Sequence, residues 1–242
     1  MDANIMFPVK FRDQFEVVWI SNEYQHEAAE IIISDFAVNE NLCHATELSK
    51  SSESLNEFRH WVNVLLEDSV TLGIRDTETN KLVSVCLNKI LYKEENKRLE
   101  KIFETYRSKT MEKIAEVLSE AECTVDIYEK WDIEAVLEVI MMSTLNNYLG
   151  KGFAQELFKQ SMKVAQKLAS GNENDLNIPR QKKVPQAVVS LLTSLYTQKI
   201  FHKMNFEIIH EIPIDQLEYN GKKFSEVLDP MHKTFQYCAI KL

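Results

Sequence analysis

Apolar positions recur along this chain with two periods, and the points where one period gives way to the other mark out its elements. Residues 136–142 are apolar apart from Glu138, as in a strand buried on both faces. Phe153, Leu157, Phe158, Met162, Ala165 and Leu168 then recur every three or four residues as far as Ala169, the stripe of a long amphipathic helix. Between strand and helix lies Leu149-Gly150-Lys151-Gly152-Phe153-Ala154, with small residues at alternating positions. Small side chains let a ligand approach the backbone closely, and the first N–H groups of a helix lack internal partners, so the junction suits a phosphate anion. It is not a P-loop, which needs Lys-Ser or Lys-Thr after its second glycine, nor a dinucleotide fingerprint, which needs a third glycine.

The same reading places the rest of the chain. Residues 17–20 form a short apolar strand, and Ala28, Ile31, Ile32 and Phe36 share one face of a helix over 24–36. The chain turns through 37–42, with Glu40 in the turn. Ser54 and Glu57 have the spacing of a capping box ahead of Phe58, Trp61, Val62, Leu65 and Leu66, which predicts another helix. Residues 69–75 and 82–91 read as a hairpin. From 93 to 122 the composition turns to charge across a helical stripe, which predicts two inserted helices. These either present a solvated face with a core-facing stripe or wall a substrate pocket. A further helical stretch near Glu134 leads into the strand over 136–142. Residues 171–183 lack periodicity and read as an exposed loop. A strand over 187–192, a helix over 194–204, a strand over 206–212 and a final strand over 234–242 that closes the sheet complete the order.

Composition narrows the function. A chain of 242 residues suits one domain, and 28 Lys and Arg against 37 Asp and Glu give a net charge of −9, which repels nucleic acid and anionic membrane. Cys43, Cys86, Cys123 and Cys238 form no Cys-x-x-Cys pair and read as reduced, mostly buried thiols of a cytoplasmic protein. Residues 1–14 show no signal peptide, and no stretch approaches the roughly 20 apolar residues of a membrane span. His202 and His210 have no metal-ligand company, so no metal is expected.

The glycine junction resembles the pyrophosphate loop of the GNAT superfamily of acyl-CoA-dependent N-acetyltransferases, Gln/Arg-x-x-Gly-x-Gly/Ala, with Gly152 and Ala154 at the small positions and Leu149 where Gln or Arg is usual. The element order is also that of GNAT proteins. Residues 199–206, Lys-Ile-Phe-His-Lys-Met-Asn-Phe, resemble the superfamily segment Leu-Tyr-Glu-Lys-Leu-Gly-Phe, with Phe201 replacing the Tyr that often protonates the leaving thiolate. Within the superfamily, Phe36-Ala37-Val38-Asn39-Glu40-Asn41-Leu42 is similar to the Phe-Phe-x-Asp-Glu-Pro-Leu segment of the insect arylalkylamine N-acetyltransferases; Glu and Leu are retained, Asp and Pro are not.

The resemblance implies an α/β (α+β) GNAT fold over 1–242, with a mostly antiparallel central sheet flanked by helices and central strands that splay. It implies acetyl-CoA as co-substrate, bound through Met142, Ser143, Thr144 and the loop Leu149, Gly150, Lys151, Gly152, Phe153 and Ala154, with a backbone N–H near Met142 facing the oxyanion. It further implies Glu40 as general base acting through water, and Thr193 and Thr197 as catalytic hydroxyls. Read from the residues alone, Thr193, Ser194 and Thr197 are equally helix-capping hydroxyls, and Tyr196 is core or pocket wall; Ser194 and Tyr196 are candidates for contacting substrate. The reaction expected is direct acetyl transfer to a primary arylalkylamine by a monomer. The alternatives are a polyamine or other non-aromatic acceptor, a longer acyl-CoA, or a catalytically weak CoA-binding protein.

Overall fold

Residues 6–171 and 176–242 are described in a computed structural model of the chain. The first strands are β1 (Val9–Phe11) and β2 (Phe15–Trp19), an antiparallel pair of which only the second was expected. Helix α1 (Asn22–Ile31) continues through a π turn at Ile32–Phe36 into the single turn α2 (Ala37–Asn39). Glu40 then breaks the helix before α3 (Asn41–Ala45). In α4 (Ser52–Leu66) the cap is Ser51 rather than Ser54: Ser51 holds the extended backbone a cap requires, and its hydroxyl accepts from the Ser54 N–H at 3.2 Å. Glu57 instead accepts from the Arg107 and Ser108 N–H groups at 2.6 and 3.2 Å.

Strands β3 (Leu72–Asp76) and β4 (Lys81–Tyr92) form the expected hairpin, and α5 (Lys93–Phe103) and α6 (Lys109–Cys123) the expected helical pair. The helix expected near Glu134 is α7 (Ile127–Trp131); it stops early because Asp132 turns left-handed at φ 52°. After it come β5 (Ala135–Thr144), α8 (Phe153–Ala169), β6 (Ala187–Leu192), α9 (Leu195–His202) and β7 (Glu207–Pro213). A small hairpin, β8 (Glu218–Tyr219) and β9 (Lys222–Lys223), the turn α10 (Phe224–Val227) and β10 (Thr234–Lys241) end the chain. Of the exposed loop expected over 171–183, residues 172–175 lie outside those described. Beyond them Leu176 is buried and the Asn177 side chain clamps the Phe7 backbone with bonds of 2.8 and 2.6 Å, so this part is anchored.

Eight strands form one sheet in the order β1-β2-β3-β4-β5-β6-β10-β7. Every pairing is antiparallel except β5 with β6. The last strand, expected to close the sheet, sits inside it between β6 and β7. Helices α8 and α9 cover one face, and α1, α4, α6 and α10 the other. The stripe on α8 is buried as its period predicts, and each large apolar side chain so placed contributes about 1.5–3 kcal/mol.

Two irregularities at the centre matter for function. Strands β5 and β6 pair only where Val136–Glu138 faces Ala187–Val189, although β5 runs on to Thr144 and β6 to Leu192, so the strands part beyond that point. On the other side of β5, Leu87 pairs with Met141 and Asn88 with Val139, which leaves Ile140 as an extra, bulged residue. A bulge bends its strand and increases the local twist, and this one lies where β5 has left its pairing with β6. Among the described residues no helix is long and apolar enough to cross a membrane.

Candidate active site

The gap between β5 and β6 is approached from both faces of the sheet. On the α8 side, Gly150 and Gly152 hold left-handed backbones at φ 73° and 77°, a conformation that favours glycine. A β-carbon on Gly150 would meet nothing within 4 Å, and one on Gly152 would meet only Arg12 Nη2 at 3.6 Å, so the loop is an open cradle over the helix start. Phe153 anchors it, buried against Phe15 at 4.8 Å and Phe11 at 5.9 Å between ring centres. That side chain is committed to the core, so Phe153 can offer a ligand its backbone N–H. Lys151 lies over the Tyr148 ring at 4.7 Å, and Leu149 is 59% exposed with its side chain in solvent.

Arg12 is the residue of this side that sequence reasoning missed. It sits in the turn between β1 and β2, and its exposed guanidinium stands beside Gly152, where a pyrophosphate would need a counter-charge that Leu149 cannot supply. The cradle, the cation and the unpaired β5 edge together fit a CoA pyrophosphate and pantetheine. Ser143 and Thr144 would act there through backbone groups: the Ser143 hydroxyl donates to Asp35 at 2.6 Å, and Thr144 Oγ1 bonds Ser84 Oγ at 2.7 Å. Met142, next to the bulge, is half-buried.

On the opposite face, the π turn delivers Glu40. Asp35 in that turn accepts from Ser143 of β5 and from Asn39 Nδ2 at 3.0 Å, which pins the end of the helix to the strand bordering the gap. Glu40 follows in an extended conformation and is half-buried. One of its carboxylate oxygens accepts from the Cys43 N–H at 2.8 Å; the other accepts the hydroxyl of Thr193, which lies just past the end of β6. Asn41 ties the same two segments by donating to the Thr193 carbonyl at 2.8 Å. Each carboxylate oxygen keeps a lone pair for a water or an amine.

The other predicted hydroxyls are used locally. Ser194 caps α9 by accepting from the Thr197 N–H at 3.2 Å, and the Thr197 hydroxyl bonds Ser194 Oγ at 3.0 Å and its carbonyl at 2.9 Å. Thr197 therefore meets Ser194 and not Glu40. Tyr196 is 63% exposed, edge-on to His232, whose buried ring accepts from the Leu195 N–H at 3.1 Å. Phe201 is fully buried and stacked on Phe158 at 4.0 Å, so it belongs to the core.

Thiol chemistry is disfavoured at the described cysteine side chains, a set that does not include Cys123. Burial, and then the negative charge of Glu40, push the Cys43 thiol well above its ordinary value. Burial raises Cys86 and Cys238 to about 12. Such thiols are poor nucleophiles at neutral pH. No group of three His, Cys, Asp or Glu among the described residues could hold a metal ion.

No protein-family model matches the chain, and no curated protein matches its sequence. Solved structures do match in fold. The arylalkylamine N-acetyltransferase 2 of Aedes aegypti superposes with a TM-score of 0.75 at 20% identity, over 95% of this chain and 99% of that one. The polyamine N-acetyltransferase of Drosophila melanogaster, an enzyme that forms N-acetylagmatine, matches with a TM-score of 0.70 at 13% identity, over 94% and 100%. The C-terminal condensation domain of Ebony, solved with beta-alanyl-dopamine, matches with a TM-score of 0.64 at 14% identity, over 95% and 99%. The chain has the GNAT acyltransferase fold, with the mostly antiparallel sheet and parted central strands that its sequence led us to expect.

Proposed function

We propose that this protein is an acetyl-CoA-dependent N-acetyltransferase for small primary amines, with Glu40 as general base and Thr193 as the hydroxyl that orients it. The observation that carries the reading is the Glu40–Thr193 bond. It joins the turn after α1 to the end of β6 across the mouth of the gap, which supports a reading in which an acceptor nitrogen beside that carboxylate meets a thioester laid along β5. The fold likeness to amine acetyltransferases supports the same class of reaction.

An alkylammonium of pKa about 10 must lose a proton before its nitrogen can attack. The proton passes to Glu40 directly or through one water, and nitrogen bonds to the thioester carbon. A β5 backbone N–H near Met142 holds the oxyanion. The carbon–sulfur bond then breaks, and the thiolate leaves with the electron pair. Phe201 offers no proton to it; an alkyl thiol ionises at about 8.5, so the thiolate needs little acid assistance. The segment around Glu40 resembles that of the arylalkylamine enzymes, which supports a primary amine as the acceptor.

Acetyl transfer from acetyl-CoA to a panel of arylalkylamines, alkylamines and polyamines tests the reading. Glu40→Gln should lower turnover roughly 10²-fold or more and leave the Kd for acetyl-CoA nearly unchanged, because it removes basicity while keeping shape. Full turnover in the variant, or an acetylated cysteine trapped on the path to product, would exclude the mechanism.

A further inference from the structure

The helical pair α5 and α6 roofs a cavity of about 730 Å³ on the same face of the sheet as Glu40. Trp61 of α4, Leu99 and Phe103 of α5, Leu118 of α6 and the bulged Ile140 of β5 give it apolar and aromatic walls. Two carboxylates open into it. Glu138, the one break in the apolar run of β5, is 8% exposed, and Glu122 projects from the last turn of α6. Neither makes a hydrogen bond or ion pair with any described residue. Lys89 stands opposite Glu138 in the β4–β5 register, yet it turns its ammonium to the Glu67 carbonyl at 2.5 Å and to Glu95 at 3.5 Å. Asn96 Oδ1, in the same wall, is a buried acceptor without a partner.

A buried carboxylate without a cation is costly unless it is protonated or a ligand supplies the charge. Here two carboxylates and an amide oxygen line one cavity without a cation among them; the neutral donors beside them are the unpartnered Trp61 Nε1–H and the hydroxyls of Tyr128 and Tyr237, and the aromatic rings favour a cation. Glu100, Glu104 and Glu112 at the rim would draw positive charge inward, against Arg107 alone. Along β5, Glu138 lies three register steps from Met142, since Ile140 is bulged, or about 10 Å at about 3.3 Å per residue. A ligand whose reacting nitrogen sits beside Glu40 and Met142 would therefore need a long body to reach Glu138.

We propose that this cavity binds the far end of the acceptor, with a second cationic group held between Glu138 and Glu122, so that the preferred substrates are long amines carrying two or more positive charges. The proposal rests on the acetyltransferase reading and gives it a substrate class. Without ligand, burial and then Glu100 hold Glu122 at about 7, and burial and then Glu122 raise Glu138 well above the ordinary range. The other titratable groups facing the pair are Tyr128 of α7 and Tyr237 of β10, both raised by burial first. Neither changes charge near neutrality. A bound ammonium would stabilise the ionised pair, so binding at neutral pH would release protons.

The test is calorimetry on the full chain with spermidine and with octylamine, which is of similar length but has a single charge, each in the presence and absence of CoA. Spermidine should bind at least tenfold more tightly and release protons, seen as a heat that changes with the ionisation enthalpy of the buffer. Glu138→Gln and, separately, Glu122→Gln should each weaken spermidine at least tenfold and leave octylamine and CoA unchanged. Equal affinity of the wild-type chain for the two amines, or undiminished spermidine binding in both variants, would overturn the assignment. Failure to bind CoA with the spermidine preference intact would instead sink the acetyltransferase reading and leave the cation site standing.

Discussion

In the proposed pyrophosphate loop, Arg12 would take the part that a Gln or Arg at position 149 plays in the usual motif. Leu149 offers the anion nothing, whereas Arg12 reaches Gly152 from a different strand pair. Arg12→Ala should weaken acetyl-CoA binding by about 0.5–1 kcal/mol, the scale of an exposed charge pair, and Leu149→Arg should strengthen it by a similar amount. The double variant should bind about as well as the wild type, and all three differences should shrink as salt is added. Titration calorimetry at low and high ionic strength reads this directly; a loop placed away from the pyrophosphate would leave every variant unchanged. Of the candidate site, Glu40 was singled out by a retained Glu and Leu in a degenerate motif, whereas its bond to Thr193, 153 residues away, has no signature in local spacing. Arg12 was illegible for the same reason. Ser194 shows the converse, since it read from the residues alone as a helix-capping hydroxyl and caps α9, with the Thr197 N–H as its donor.

Among the elements, those with long periods were read well and those set by tertiary pairing were not. The stripe of α8 and the apolar run of β5 each carry enough repeats to fix type and face. By contrast, Val9-Lys10-Phe11 is too short to alternate and becomes a strand only because β2 pairs with it. Ser54 has the spacing of a cap with Glu57, yet the backbone that leads into α4 gives that place to Ser51. The bulge at Ile140 is likewise invisible in sequence, since it depends on register with β4. Asn88 stands at that shift, opposite Val139: it is fully buried, and its amide donates to the Val70 carbonyl at 3.3 Å and to Ser161 of α8 at 2.8 Å. Asn88→Ala should cost about 1–3 kcal/mol for the buried groups left unmatched. Because the bulge lies where β5 parts from β6, the variant should also bind acetyl-CoA more weakly under conditions where it remains folded. Denaturant melts with CoA titrations at the same temperature separate the two effects; a stability loss with intact CoA affinity would show that Asn88 serves packing alone.

For the molecule as a whole, the buried Glu138 and half-buried Glu122 give stability an unusual dependence on pH. Against the pull of burial, hydrogen bonds from Ser108 hold Glu57 below its ordinary value, and those from Arg98 do the same for Glu95. Such groups contribute stability that is present above the unfolded value of about 4.3 and is lost as pH falls. Glu122 and Glu138 work in the opposite sense. With folded values raised by burial, their contribution is complete below about 4.3 and is lost as pH climbs through the folded value, about 7 for Glu122. Ligand-free protein should therefore be most heat-resistant on the acid side of neutrality, with a melting midpoint that falls between pH 5 and pH 8. The net charge of −9 adds repulsion over the same range, but it does so almost equally in a Glu138→Gln variant, so the difference between the two proteins isolates the pair. The variant, neutral at that position at every pH, should melt higher than the wild type at pH 8 and show a flatter alkaline limb. Scanning calorimetry across pH 4 to 8 on both proteins decides it: a wild-type midpoint that rises steadily to pH 8, or a variant that falls just as steeply, would mean that the two carboxylates are ionised and already matched in the folded chain.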